Sequence, residues 1–348
     1  MPTPAHACGL RLRSLRFAAG MCSTLLLPLT VVASAPPATH APLVWPAPPD
    51  APRLAYVRSI SQPADVGIKP AGLARLGRWL TGSSKANESL QRPFGVALDE
   101  QDNLCVTDTG ANVVCFLDRA AKKWQRWEKV GDRFWASPVA VAKHGGTLFV
   151  ADSGFGSVVA FDLKGKLLFQ ITNHLARPCG LAVLDERLLV ADSQRHCVVA
   201  YDFSGRYLAE FGRRGTGLGD FNFPTHIAAH GTNLVLVTDS MNRRVQVFDG
   251  QYRFLRSIGS AGDVPGCFSR PKGVAADPAG RVYVLDAMFD NFQIFDGEGR
   301  FLMPLGQTGP GPGQFWMPNG IAISRSNEVF IADSYNHRIQ VFQYVGQP

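Results

Sequence analysis

Two columns of single residues recur along this chain with one shared period. Prolines stand at 93, 138, 178, 224, 271 and 318, separated by 45, 40, 46, 47 and 47 residues. Asp108, Asp152, Asp192, Asp239, Asp286 and Asp333 recur at intervals of 44, 40, 47, 47 and 47. Each proline opens a short run of small and β-branched residues, such as Gly95-Val96-Ala97-Leu98 or Gly320-Ile321-Ala322-Ile323, and each aspartate closes a second run, as in Ala332-Asp333-Ser334. A third run like Val245-Gln246-Val247-Phe248 and a fourth like Phe254-Leu255-Arg256-Ser257-Ile258 complete the period. Runs this short, bounded by turn residues and lacking helical periodicity, specify four strands in every repeat of about 45 residues.

Six such units predict an all-β chain, a six-bladed β-propeller of four-stranded antiparallel blades. The sixth unit lacks its fourth strand, because only six residues follow Ile339–Phe342. Arg58-Ser59-Ile60 repeats Arg256-Ser257-Ile258, with Tyr56-Val57 in the place of Phe254-Leu255. Residues 54–60 are therefore expected to complete the last blade, with Tyr56 alongside Gln340, and to close the ring. Closure removes sheet edges that would otherwise be open to pairing.

Pro318-Asn319-Gly320-Ile321-Ala322, the run Ala332-Asp333-Ser334-Tyr335-Asn336-His337-Arg338-Ile339-Gln340-Val341-Phe342, and Gly309-Pro310-Gly311-Pro312-Gly313-Gln314-Phe315 resemble the NHL-repeat family of six-bladed propellers over residues 53–348. The resemblance implies either a scaffold that binds protein or RNA, or, as in the propeller of peptidyl-hydroxyglycine amidating lyase, a zinc site built on channel histidines. No Cys/His cluster of the kind a RING module needs is present.

The 348 residues are 46% hydrophobic and 18% charged, which excludes a disordered chain, a collagen and a long coiled coil. Arg11, Arg13 and Arg16 precede the apolar stretch Phe17–Ala35, interrupted by Pro28, so residues 1–33 read as a secretory signal cut after Ala33, or as an uncleaved leader tethering the protein to a membrane. The expected location is exported, periplasmic or extracellular. Residues 34–52 carry seven prolines and read as a stiff tether, with the folded part starting near Arg53. Residues 53–68 hold the closing strand, 69–90 a linker and 91–348 the blades. Leu73, Leu76 and Leu80 in the linker have helical spacing beside Lys69, Arg75 and Arg78, so residues 70–80 form a short basic helix that either packs on the propeller or touches a membrane. Five cysteines follow the leader, an odd number, so disulfides are not the framework; whether Cys105 and Cys115, symmetric about Gly110, are paired stays open.

What occurs in every blade reads as architecture, and what occurs in one blade asks for another reason. The six aspartates, and a second column at Asp118, Asp162, Asp202, Asp249 and Asp296 with Gln343 as the exception, read as turn caps. Two residues after each proline stands a small residue, Gly95, Ala140, Gly180, Gly273 or Gly320, except in the fourth blade, where His226 occupies the slot. His226 is the sharpest anomaly, either plugging the channel or binding a ligand there, and it is the one metal candidate. The residues directly after the prolines, including Cys179, Thr225, Lys272 and Asn319, form an entrance ring on the same face as loops carrying Arg195, Arg243, Arg244, Tyr335 and Arg338. That face is basic over blades three to six and suits an anionic or aromatic partner.

No channel carboxylate follows the prolines, as a lactonase-type propeller would need, and no phosphate loop or Ser-His-Asp order appears. Cys179 and His226 lie on adjacent inner strands, which makes a thiol and imidazole pair conceivable, without a visible orienting acid. The expectation is an exported, non-catalytic monomer that binds a protein, peptide or glycan on the basic face, with no cofactor and with nucleic acid disfavoured by the small net charge. The alternative is a metal-dependent lyase or hydrolase with zinc or calcium at the channel mouth.

Overall fold

The computed structural model describes residues 43–68 and 88–346. The leader at 1–33 and the segment 70–80 lie outside the described residues. Each blade proline is the first residue of an innermost strand: Pro93–Leu98, Pro138–His144, Pro178–Leu184, Pro224–His230, Pro271–Ala276 and Pro318–Ile323. Proline suits a strand's first position, where no ladder bond is asked of its nitrogen. Blades one to five are four-stranded antiparallel sheets, with strand order following chain order from the axis outward. The expected six-bladed architecture is what forms.

Where the slot two residues after the proline holds glycine, the inner strands meet too closely for a side chain. A Cβ on Gly320 would stand 2.3 Å from the Phe94 carbonyl oxygen of the next blade, and one on Gly273 would stand 2.6 Å from that of Asn319. The apolar core is not central. It is divided into six layers, one at each blade junction: Phe149 and Ala151 of blade two pack with Leu188, Val190 and Tyr201 of blade three, for example.

The chain's two ends share the last blade. Leu54–Ile60 pairs antiparallel with Arg338–Tyr344, and Ile60 and Leu54 are buried in the layers on either side of that blade. Tyr56 pairs with Phe342 and Ser59 with Gln340, so Tyr56 is not alongside Gln340 as expected. A bulge between Tyr56 and Arg58 matches the one between Val247 and Phe248 in blade four, where Phe254 pairs with Phe248. The sequence match to blade four was therefore in register, and the partner two residues away. The sheet also begins earlier than Arg53: Val44–Trp45 pairs with Leu54–Ala55 as a fifth strand, inside the segment read as a tether, and the Trp45 ring packs 5.8 Å from that of Phe342.

The aspartate column does more than cap its own turn. Asp192 accepts backbone N–H bonds from Gln194 and Arg195 in that turn at 3.1 and 2.9 Å, and also from Ala176 and Arg177 ahead of the inner strand at 2.7 and 2.9 Å. Asp108, Asp152 and Asp286 bind in the same two directions. Asp239 and Asp333 take one such N–H each, from Asn222 and Trp316, and turn their remaining capacity to Asn, Arg and Gln side chains. The second column caps the outer hairpins, as where Asp249 accepts from Gln251 and Arg253 at 2.9 Å each.

All five described cysteines are free thiols. Cys105 pairs with Phe116 and Cys115 with Val106, one register step apart, which sends the two side chains to opposite faces and into different layers. Because Ile60 lies in the layer that joins the last blade to the first, Ile60→Ala should lower the unfolding free energy by about 2–5 kcal/mol. Denaturant titration should show it as one transition shifted for the whole ring; a separate early transition of the last blade alone would contradict this closure.

Candidate functional site

The inner strands and the turns after the second strands meet on one face around the mouth of the central channel, a cavity of about 420 Å³. Phe94, Val139, Cys179, Thr225 and Lys272 come from the ring after the prolines, Arg177, Phe223 and Arg270 from the residues before them, and Ser153, Ser193, Ser240 and Met241 from the turns. The aspartate clips explain why these parts converge, since each fastens the entry to an inner strand onto a turn of its own blade.

His226 stands at the floor. Its imidazole faces the ring of Phe94, on the opposite blade, with centroids 6.5 Å apart and planes 24° from parallel. Beneath it the channel narrows to a space of about 40 Å³ lined by Gly95, Gly180 and Gly320, before widening at the far end. His226 thus plugs the channel and forms the inner wall of the mouth. Burial drives its pKa down to about 3, with the charge of Lys272 acting in the same direction and Asn319 opposing, so the imidazole is neutral. Both ring nitrogens are buried without a hydrogen-bond partner, as are Thr225 Oγ1 and Asn319 Oδ1.

The cations around the mouth are uncompensated. Among the described residues the side chains of Arg177, Arg270 and Lys272 have no ion pair or hydrogen bond, and no carboxylate lines the cavity. Burial, and then the charges of Arg270 and Arg177, lower the pKa of Lys272. Taking a divalent ion at His226 would place it beside these charges. Among the described residues no three His, Cys, Asp or Glu side chains converge, so the donor set does not fit zinc or calcium.

The structure sorts the other expected residues. Arg244 and Arg338 are architectural: each donates to its blade's aspartate at 2.8 Å and to carbonyl groups of the preceding connector. Arg195 is held by Glu210 at 3.0 Å and the carbonyl of His174, so it is not a free contact group. Cys179 donates its thiol to the carbonyl groups of Ala191 and Pro224 and is pushed up to about 12 by burial, which does not suit a nucleophile paired with His226. Tyr335 is partly exposed between Trp316, at 5.6 Å, and the guanidinium of Arg92, at 5.1 Å. Arg243 is exposed with no side-chain partner among the described residues.

Arg177 and Arg270 are the contributors that sequence reading missed. They belong to a column one residue before the prolines, occupied by Arg92, Ser137, Arg177, Phe223, Arg270 and Met317, where three arginines in six were the available signal. A further column also escaped notice, four residues after each aspartate, where Asn112, Gly156, His196, Arg243, Asp290 and His337 all have positive φ. Three of these reach the next blade: His196 accepts from the Phe223 N–H at 3.1 Å, Asp290 from that of Met317 at 2.7 Å, and His337 bonds the Gln91 carbonyl.

A neutral buried imidazole binds protons less readily than an unfolded one, whose pKa is near 6.5. Its contribution to stability is complete above that value and is lost as pH falls from about 6.5 toward 3. His226→Ala should therefore become more stable relative to wild type on going from pH 7 to pH 4, by on the order of 1–4 kcal/mol. Thermal unfolding across that range checks it, and parallel curves for the two proteins would contradict the buried, neutral state.

The family model for the NHL repeat matches residues 268–295 and 315–342, in each case the end of a connector and the first three strands of the blade that follows, the fifth and the sixth. No curated protein matches the sequence. Among solved structures, virginiamycin B lyase from Staphylococcus aureus is similar with a TM-score of 0.54 at 11% identity, over 73% of this chain and 96% of that one. An auxiliary nutrient binding protein from Bacteroides thetaiotaomicron has a TM-score of 0.59 at 14% identity, over 74% and 70%. The WD40 β-propeller domain of Doa1 has a TM-score of 0.54 at 12% identity, over 72% and 78%. At these identities the likeness is one of fold. The six sheets and the ring closed by its own N-terminal strand make this chain a six-bladed β-propeller, with NHL repeats matched in its fifth and sixth blades.

Proposed function

We propose that this propeller is a non-catalytic binding protein whose site is the mouth of the channel, taking an anionic group of a protein, peptide or glycan. The observation that carries this is the convergence of Arg177, Arg270 and Lys272 on one cavity with no carboxylate among its lining. Like charges held together and partly buried repel one another, and an anion relieves that cost while its own desolvation is offset by three donors. A basic, concave, largely preformed site of this size fits ligand binding. The nutrient-binding and WD40 propellers of similar fold are consistent with such use. Export through the leader and action as a monomer belong to the same proposal.

The metal-dependent lyase or hydrolase reading has less support, because His226 is isolated from other ligand side chains and faces Lys272 and Asn319. Metal at unit stoichiometry in the full-length protein, lost in His226→Ala, would reinstate it.

The double variant Arg270→Glu with Lys272→Glu, screened beside wild type against arrays of acidic peptides and acidic glycans, should lose capture by tenfold or more, since each charge-assisted contact contributes about 1.5–3 kcal/mol. Its melting temperature should stay within a few degrees, because neither side chain is tied into the scaffold. Equal capture by both proteins would remove the mouth as the site. By contrast Arg244→Met, which leaves the buried carboxylate of Asp239 short of its cation, should lower thermal stability by about 3–5 kcal/mol.

A further inference from the structure

We infer that the ligand's anionic group belongs to a hydroxylated acid, a sugar acid or similar polyhydroxy carboxylate. This rests on the reading that the mouth binds an anion and specifies what lies next to that anion. The three cations provide for a carboxylate. Two residues of the same lining bring buried polar atoms without a hydrogen-bond partner, Thr225 its Oγ1 and His226 both ring nitrogens. A buried group of this kind asks for a partner from a ligand or from water.

Their chemistry restricts what that partner is. A neutral imidazole carries one N–H donor and one bare nitrogen acceptor, and the threonine hydroxyl does either. A carboxylate only accepts, so it answers the imidazole N–H and leaves the bare nitrogen unmet. An ammonium group would donate to that nitrogen but is repelled by Arg177, Arg270 and Lys272. Neutral hydroxyl groups, which donate and accept, answer all three atoms without adding charge. The remaining walls, Phe94, Val139, Phe223 and Met241, are apolar and offer cover for the C–H face of a sugar ring. Anionic charge on one edge, hydroxyls on another and an apolar face between them describe a uronic acid.

Calorimetric titration of the full chain at fixed pH and salt with D-galacturonate, D-galactose and propionate tests this. Galacturonate should bind at least tenfold more tightly than either galactose, which lacks the acid, or propionate, which lacks the hydroxyls. His226→Ala, a residue size the same slot accepts at Ala140, should weaken galacturonate at least tenfold and leave propionate unchanged. Thr225→Val should act in the same direction and serves if the first variant does not fold. Lys272→Met should weaken both acids. Galacturonate and propionate binding alike, with His226→Ala silent, would overturn the hydroxyl assignment and leave the anion site standing. If no acid binds and Lys272→Met changes nothing, the underlying reading fails as well.

Discussion

Six buried carboxylates hold this molecule in its working shape. Each accepts hydrogen bonds from backbone on the approach to an inner strand, and most also accept from the turn that follows the second strand of the same sheet, so two parts of the chain some sixteen residues apart are fastened at one edge of every blade. An ionised carboxylate accepting several N–H groups is among the stronger arrangements available to a side chain in a protein interior. Without it, the turns would be free to splay, and the groups at the channel mouth would lose their common frame.

The same economy of parts runs between blades. Serines that follow three of the aspartates donate to the carbonyl group of the next blade's proline, Ser153 to Pro178, Ser240 to Pro271 and Ser334 to Pro93. Residues of positive φ make further links, and apolar layers fill the space outside them. Architecture thus absorbs nearly every repeated polar residue. What is left over at the mouth, three cations and three unpartnered polar atoms, stands out because the repeated polar residues around it are accounted for.

Most of the fold was legible in the columns, because a repeat displays the same physical requirement six times. The small residue after each proline, the aspartate turn and the borrowed strand at Leu54–Ile60 were all readable in that way. The partner of Tyr56 was not, since the bulge beside it shifts pairing without leaving a mark in composition. The site was legible only in part. His226 announced itself by breaking a rule, and Lys272 by its place on the entrance ring. Arg177 and Arg270 sat in a column too mixed to look like a pattern, while Arg195 looked free because Glu210, its partner, lies fifteen residues away on the outermost strand of the same blade. Ion pairs of that kind are set by the sheet's geometry and have no fixed spacing in a sequence.

Sharing one sheet between the two ends of the described chain has a consequence for how the protein is made. The strand Leu54–Ile60 is synthesised before every blade strand, yet its partner Arg338–Tyr344 comes only after the first five blades are complete. Contacts separated by so much chain form slowly. Throughout that interval the early strand carries Leu54 and Ile60 with nowhere to bury them, so the nascent protein is most open to aggregation during the wait for the partner strand.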